Sequence, residues 1–345
     1  MSRTVVMRLA VASILLASLS VYARGPASTQ ASLKLILTVT LPGFSGDFDH
    51  LTADVKGGRL FLAGEDHKSV EVFDLQTGKK LHSITEVGTP HSLLYLPEQD
   101  ELYVTDGADG TLKIFSGSDY KLKDKIQLVE GLDSIVYDRA AQRLYVVSGG
   151  KDVPLDHSFL TAVDLPGRKT LGEIRFEADH VEAMAIETSG SRLFVNLADK
   201  AEVAVVDRKK MQVIARWPVG IAEQNSPLAY DEKNQRLFVV CRKPPMLVVM
   251  DATNGKVVAS LPTAGHADDV AFDKDSGRIY VPGAEGFISV YQQKDADHYE
   301  QIAKVQTAPG AKTAVLVPEL HRLFVAVSPG DTKAMAKLLV YEVTK

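Results

Sequence analysis

The chain has 345 residues, 45% of them hydrophobic, with 39 Lys and Arg against 44 Asp and Glu and a single cysteine, Cys241. That length can bury a core unaided. One thiol excludes an internal disulfide framework and a paired-cysteine zinc or iron–sulfur site, and without Cys-x-x-Cys-His there is no covalent c-type haem. A net charge of −5 argues against a general nucleic-acid or anionic-membrane surface.

Residues 1–23 have the form of a secretory signal. Arg3 and Arg8 precede an uncharged apolar run over 9–19, and Val21 and Ala23 supply the positions that a signal peptidase reads. The run is shorter than the roughly 20 residues a spanning helix needs, and nothing later is longer. The expectation is cleavage and export, giving a secreted or periplasmic protein with no membrane span. Residues 24–33, small and polar, read as a flexible leader. Residues 34–345 read as one domain.

Residues 34–41 (Lys-Leu-Ile-Leu-Thr-Val-Thr-Leu) alternate like a strand and stand alone before the first repeat. A four-residue motif then recurs: Arg59-Leu60-Phe61-Leu62, Glu101-Leu102-Tyr103-Val104, Arg143-Leu144-Tyr145-Val146, Arg192-Leu193-Phe194-Val195, Arg236-Leu237-Phe238-Val239, Arg278-Ile279-Tyr280-Val281 and Arg322-Leu323-Phe324-Val325. Each copy is charged, aliphatic, aromatic, aliphatic, a strand-forming sequence. Gly, Asp, Asn and Pro mark the connections around it. Aligning the first strand of each repeat on its apolar positions gives the register His50, His91, Asp133, Glu182, Ser226, Asp268, Lys312, with spacings of 41 to 49 residues. Four short strands in such a unit make a propeller blade. The seventh repeat ends after three strands, and the orphan strand at 34–41 can supply the fourth. The fold predicted is all-β: a seven-bladed β-propeller of four-stranded blades, closed by the N-terminal strand.

In this context Tyr103-Val104-Thr105-Asp106 resembles the YVTN-type repeat, with Asp where the signature has Asn. The resemblance covers residues 34–345 and is to secreted bacterial seven-bladed propellers of that type. A stretch from Gly286 to Glu300 is similar to uncharacterised members. The resemblance implies the fold and export, and it brings no catalytic residue with it.

Chemistry must therefore be sought where polar groups converge. In a propeller the first strands line a central channel, so the register residues and the nearby Asp47, Asp49, His180, Asn225, His266 and Asp269 gather at its mouth. Six of the nine histidines (His50, His67, His91, His157, His180, His266) fall in loops assigned to this face. A mixed imidazole and carboxylate set suits a divalent ion, zinc, or calcium if oxygens dominate. His91 and Glu182 are the candidate metal ligands, and His50 and His266 the candidate acid and base. Asp133, Asp268, Lys312 and Arg242 are the candidate ligand contacts. Lys312 has a plainer role as well, neutralising Asp268 or Asp133. No motif demands a cofactor. The leading reading is an exported propeller that binds a small polar ligand, an ion or a protein segment. It is read as a monomer with no nucleic-acid partner. The alternative is a metal-dependent hydrolase or lyase, lactonase-like, acting on a lactone or sugar acid.

Three residues receive structural readings. Cys241 alternates into a core, Trp217 packs between blades, and the repeated arginine pairs with an acid or turn backbone of its own blade. An insertion at 149–157 marks a surface loop of the kind that often serves binding.

Overall fold

The computed structural model describes Met1 and residues 32–330, 332 and 334–344. The signal reading at 1–23 and most of the leader lie outside the described residues.

The described residues form seven four-stranded antiparallel sheets in sequential order, which is a seven-bladed β-propeller. Only two short 3-10 turns, Gly150–Asp152 and Pro318–Leu320, interrupt the strands among those residues. Within the described residues no helix is long and apolar enough to cross a membrane.

Each blade runs from an inner strand near the axis to an outer strand at the rim, and the four-residue motif is its second strand. Leu60, Phe61 and Leu62 are all fully buried, as are Leu193, Phe194 and Val195. Both faces of this strand are covered by neighbouring blades, so its sequence is continuously apolar rather than alternating. Outer strands alternate instead: Gln212–Pro218 exposes every second residue.

Closure is as the spare strand requires. Leu33–Leu41 pairs antiparallel with Ala336–Val343, and the last sheet has the order N-terminal strand, third, second, first. The strand begins at Leu33, one residue before the alternation indicates, because Leu33 and Leu41 are both buried. Leu33 joins the core between blades 6 and 7, and Leu41 the core between blades 7 and 1. The pairing also covers an edge that would otherwise invite aggregation.

The repeated arginine reaches further than its own blade. Arg59 pairs with Asp54 of blade 1 at 2.5 Å but also donates to the carbonyl of Gly117 in blade 2. Arg192 donates to Ala252, Arg278 to Thr344 and Arg322 to Leu75, each a carbonyl of the next blade. The residue is a clasp between blades, which explains why it recurs. At the glutamate copy the polarity is reversed: Arg168 of blade 3 reaches back to Glu101 at 2.7 Å.

Candidate functional site

Strand pairing fixes which residues are equivalent at the mouth. The fourth motif residue pairs with Leu93 in blade 2 and Leu228 in blade 5, placing His91 and Ser226 two residues earlier. In blade 1 Leu62 pairs with Leu51, so the equivalent residue is Asp49 and not His50. Backbone bonds agree: Asp49 N donates to Ala63 O, and Asp133 N to Val147 O. The true ring is Asp49, His91, Asp133, Glu182, Ser226, Asp268 and Lys312. His50 is the next residue along and projects beside it. Aligning apolar residues in sequence cannot see a one-residue offset, whereas the hydrogen-bond register can.

These groups surround a cavity of about 200 Å3 at the axis, lined by polar and charged side chains that include Asp49, His50, Glu65, His91, Asp133, Glu182, Arg242, Asp268 and Lys312. Seven of the eight candidate residues therefore meet there. The eighth, His266, does not line the cavity. It lies two residues before Asp268 in left-handed backbone (φ 53°), with its side chain exposed. Ser226 adds its hydroxyl to Glu182 Oε2 at 3.2 Å.

Asp49 is the hub. Its Oδ2 lies 2.8 Å from His91 Nδ1, and its Oδ1 lies 3.4 Å from His50 Nε2. The other ring nitrogen of His50 lies 3.0 Å from Asp269 Oδ1, while Asp269 Oδ2 accepts the Ala314 amide at 2.8 Å. Asp269 thus holds the His50 ring with Nε2 turned toward Asp49. Single donor atoms of Asp49, His50 and Asp133 lie within 4.8 Å of one another, and so do those of Asp49, Glu65 and His91.

On the other side, Lys312 Nζ bridges Asp268 at 2.8 Å and Asp47 at 3.1 Å, and Arg242 bonds the second oxygen of Asp268. The lysine neutralises Asp268, as its sequence position suggests. His180 bonds Glu182. The insertion supplies Lys151 and Asp152 to the lining. It can do so because Gly150 (φ 79°) sits where a Cβ would come within 2.4 Å of the Asp179 carbonyl, so only glycine lets the loop turn inward.

The charges perturb one another strongly. Burial alone would raise Asp49, but His50, His91 and Lys312 outweigh it and hold the carboxyl well below its usual range. Burial would lower both imidazoles. Asp49 and Asp269 instead lift His50 well above its usual value, and hydrogen bonding and charge from Asp49 lift His91 to about 9. Asp133 goes the other way: burial, then the Glu182 charge, push it up to about 7. Glu182 lies below its usual value because His180, Arg242 and Lys151 overcome its burial. The cavity thus contains carboxylates that positive charge stabilises and others, Asp133 above all, that find too little of it.

Sequence reasoning passed over Glu65, whose carboxyl is raised by burial and by Asp49. Its signal was positional: it sits in the loop joining second and third strands, which shares a face with the inner-strand entries. His67, from the same loop, packs instead against Phe44, with the ring centres 4.1 Å apart and the planes tilted by 38°. His157 pairs with Asp156 at 2.8 Å and does not line the cavity. Cys241 is buried with its thiol pushed up to about 12 by burial, the behaviour of a core residue. Trp217 packs at the blade 4–5 boundary, where a Cβ on Gly255 would strike its ring.

The model of a family described as SdiA-regulated matches residues 202–285, which carry Ser226, Arg242 and Asp268. Two curated relatives, from Salmonella typhi and Salmonella typhimurium (strain LT2), each described as the uncharacterized protein YncE, are 25% identical over 239 residues. Those matches cover 68% of this chain and 61% of the relatives, so the chain spans about three fifths of their length. Both likenesses support a propeller family.

Proposed function

We propose that this propeller is an exported binding module whose channel mouth takes a small polar ligand or partner segment, with a divalent cation held by Asp49, His50 and Asp133 as the core of the site. The observation that carries the reading is the approach of those three donors to within 4.8 Å of one another. Asp269 adds the support a metal-bound imidazole ordinarily has: a carboxylate on its second nitrogen, fixing the ring. An imidazole among the donors favours zinc or a similar transition ion over calcium, which takes oxygen ligands. The ion would supply the positive charge that Asp133 lacks. Glu182 and His91, chosen from sequence as the ligands, flank this trio, and His91 belongs to the alternative set with Asp49 and Glu65. Arg242, Lys312 and Asp268 form the polar wall facing an incoming ligand.

The test is titration of untagged, EDTA-treated protein with zinc and with calcium, read by calorimetry and by melting temperature. One equivalent of zinc should bind and stabilise the wild type, with binding lost in Asp49→Asn and His50→Ala. Absence of saturable zinc binding to the wild type would sink the reading.

One observation favours a second function. A carboxyl near pH 7 is placed to exchange protons at neutral pH, as a general acid or base must. With the cation on the alternative set of Asp49, Glu65 and His91, Asp133 is no ligand and meets that condition, which fits a metal-dependent hydrolase or lyase acting on a lactone or sugar acid at the same mouth. Turnover of a lactone panel by zinc-loaded wild type but not by Asp133→Asn would establish it.

A further inference from the structure

At the opposite end of the strands from the mouth, each pair of blades encloses a slot beneath the first motif residue, an arginine in every blade but the second. Its floor is the inner-strand residue of the following blade that pairs with the second motif position. Those residues are Tyr95, Tyr137, Ile186, Tyr230, Phe272, Leu316 and, closing the ring, Ala53. Four are aromatic and fill their slots. Tyr95 lies 5.7 Å from Phe61, Tyr230 lies 5.2 Å from Phe194, and Phe272 lies 4.9 Å from Phe238.

The slot between blades 1 and 2 shows what the ring does there. The Arg59 guanidinium lies 5.3 Å from the centre of the Tyr95 ring. Its Nη2 donates to the Tyr95 hydroxyl at 3.1 Å, and that hydroxyl donates to Asp100 Oδ1 at 2.8 Å. Asp100 sits in left-handed backbone (φ 49°) in the turn after the inner strand.

The slot between blades 6 and 7 repeats this frame with two parts changed. Arg278 takes the place of Arg59 and donates to the Thr344 carbonyl, as Arg59 does to Gly117. His321, also at φ 49°, takes the place of Asp100. The aromatic is replaced by Leu316, and a cavity of about 560 Å3 opens, lined by Asp273, Ser276, Arg278, Leu316, Pro318 and His321 among others. The Nε of Arg278 is buried and makes no hydrogen bond. The slot between blades 3 and 4, with Ile186, also opens, but Arg208 occupies part of its wall.

We propose that the blade 6–7 slot is a binding pocket for a phenol ring, presented by a small hydroxyaromatic compound or by a tyrosyl side chain. The ring lies against Leu316 and Pro318 with the Arg278 guanidinium over its face, an arrangement the ring quadrupole favours. Its hydroxyl sits between Arg278 and His321, in the position the Tyr95 hydroxyl holds between Arg59 and Asp100. Asp273 and Asp275 disfavour an aromatic acid, so the ligand is a neutral phenol. This site shares no residue with the channel mouth and stands whether or not the mouth binds a metal.

The experiment is binding of p-cresol to the full chain, followed by ligand-observed NMR and calorimetry. Saturable binding to the wild type is expected. Leu316→Tyr, which rebuilds the filled slot, should weaken it at least about tenfold. His321→Ala should weaken it about fivefold, as loss of one hydrogen bond worth about 1 kcal/mol predicts. If Leu316→Tyr does not fold, the His321→Ala arm decides. Toluene should bind distinctly more weakly than p-cresol. Binding of N-acetyl-tyrosinamide more tightly than p-cresol identifies a tyrosyl side chain as the occupant, and the reverse order identifies a free phenol. No saturable binding to the wild type, equal binding of toluene and p-cresol, or unchanged binding in His321→Ala overturns the proposal.

Discussion

Closure by the N-terminal strand can be tested with two leucines. Leu33 and Leu41 are each 3% exposed and stand at opposite ends of that strand. Leu33 packs with Tyr341 and Val343 in the core shared by blades 6 and 7, whereas Leu41 packs with Leu60 and Phe324 in the core shared by blades 7 and 1. Truncating a buried leucine to alanine removes transfer free energy and leaves a cavity, about 2–5 kcal/mol each. The two sites belong to different clusters, so their effects should nearly add, giving about 4–10 kcal/mol for the double variant. Whole-domain stability is typically about 5–15 kcal/mol. Leu33→Ala/Leu41→Ala should therefore be largely unfolded or melt far below the wild type. Ile36, 41% exposed at the bulge in the same strand, is the control. Ile36→Ala should cost less than about 0.5 kcal/mol. Urea unfolding followed by circular dichroism and by Trp217 fluorescence measures both variants. A double variant within about 1 kcal/mol of wild type would mean that the ring does not depend on this strand, and the closure argument would fail.

Two further predictions concern pH, in EDTA: both groups make stability fall as pH rises, but the two variants shift it in opposite directions. His91, lifted to about 9 by hydrogen bonding and charge from Asp49, stabilises the fold most below its unfolded value near 6.5, and that contribution disappears as pH rises through about 9. His91→Gln should thus melt well below wild type at pH 6, and the gap should narrow by pH 9.5; a constant gap would contradict the ion pair. Asp133, raised to about 7, costs stability progressively as pH climbs from about 4 through 7. Asp133→Asn should match wild type near pH 4 and exceed it at pH 8, an order that melting curves at the two pH values check. The blade clasp gives the last prediction. Asp54 is 3% exposed and pairs with Arg59. Arg59→Ala strands that carboxylate and should cost about 3–5 kcal/mol, with Asp54→Asn/Arg59→Ala recovering part of the loss. Simple additivity in the double-mutant cycle would show that the two are uncoupled.

The fold was legible because the sequence states it seven times. A single Arg-Leu-Phe-Val is weak evidence, but its recurrence with turn residues between copies leaves few architectures. The missing strand after residue 343 and the spare one before residue 51 identified each other. The site was legible in place rather than in detail. First-strand positions converge on an axis in any propeller, so Asp133, Glu182, Asp268 and Lys312 could be grouped without coordinates. What escaped was everything set by loop geometry. The blade 1 register slipped by one residue because Asp49 and His50 are equally polar and the alignment followed apolar neighbours. His266 lies close to Asp268 in sequence, yet it is exposed and does not line the cavity. Glu65 carries no signal in sequence beyond its place in the loop joining the second and third strands of blade 1. Each failure concerns a side chain whose direction depends on turn conformation, to which hydrophobic periodicity is blind.

In a repeat protein, a residue that recurs from blade to blade serves what the blades share: the arginine, present in six of the seven motif copies, clasps the next blade at Arg59, Arg192, Arg236, Arg278 and Arg322. The converse is more informative. At the mouth the seven equivalent positions hold Asp, His, Asp, Glu, Ser, Asp and Lys, and at the opposite slots Ala53, Ile186 and Leu316 interrupt a run of aromatics. Packing gives no reason for either departure: a solvated channel does not require two imidazoles around one carboxylate, and a slot that tyrosine fills elsewhere is less well packed with leucine. Positions freed from the repeat are where selection for binding can act on one blade without unravelling six others. Asp49 and its neighbours are such positions at one face, and Leu316 and His321 at the other.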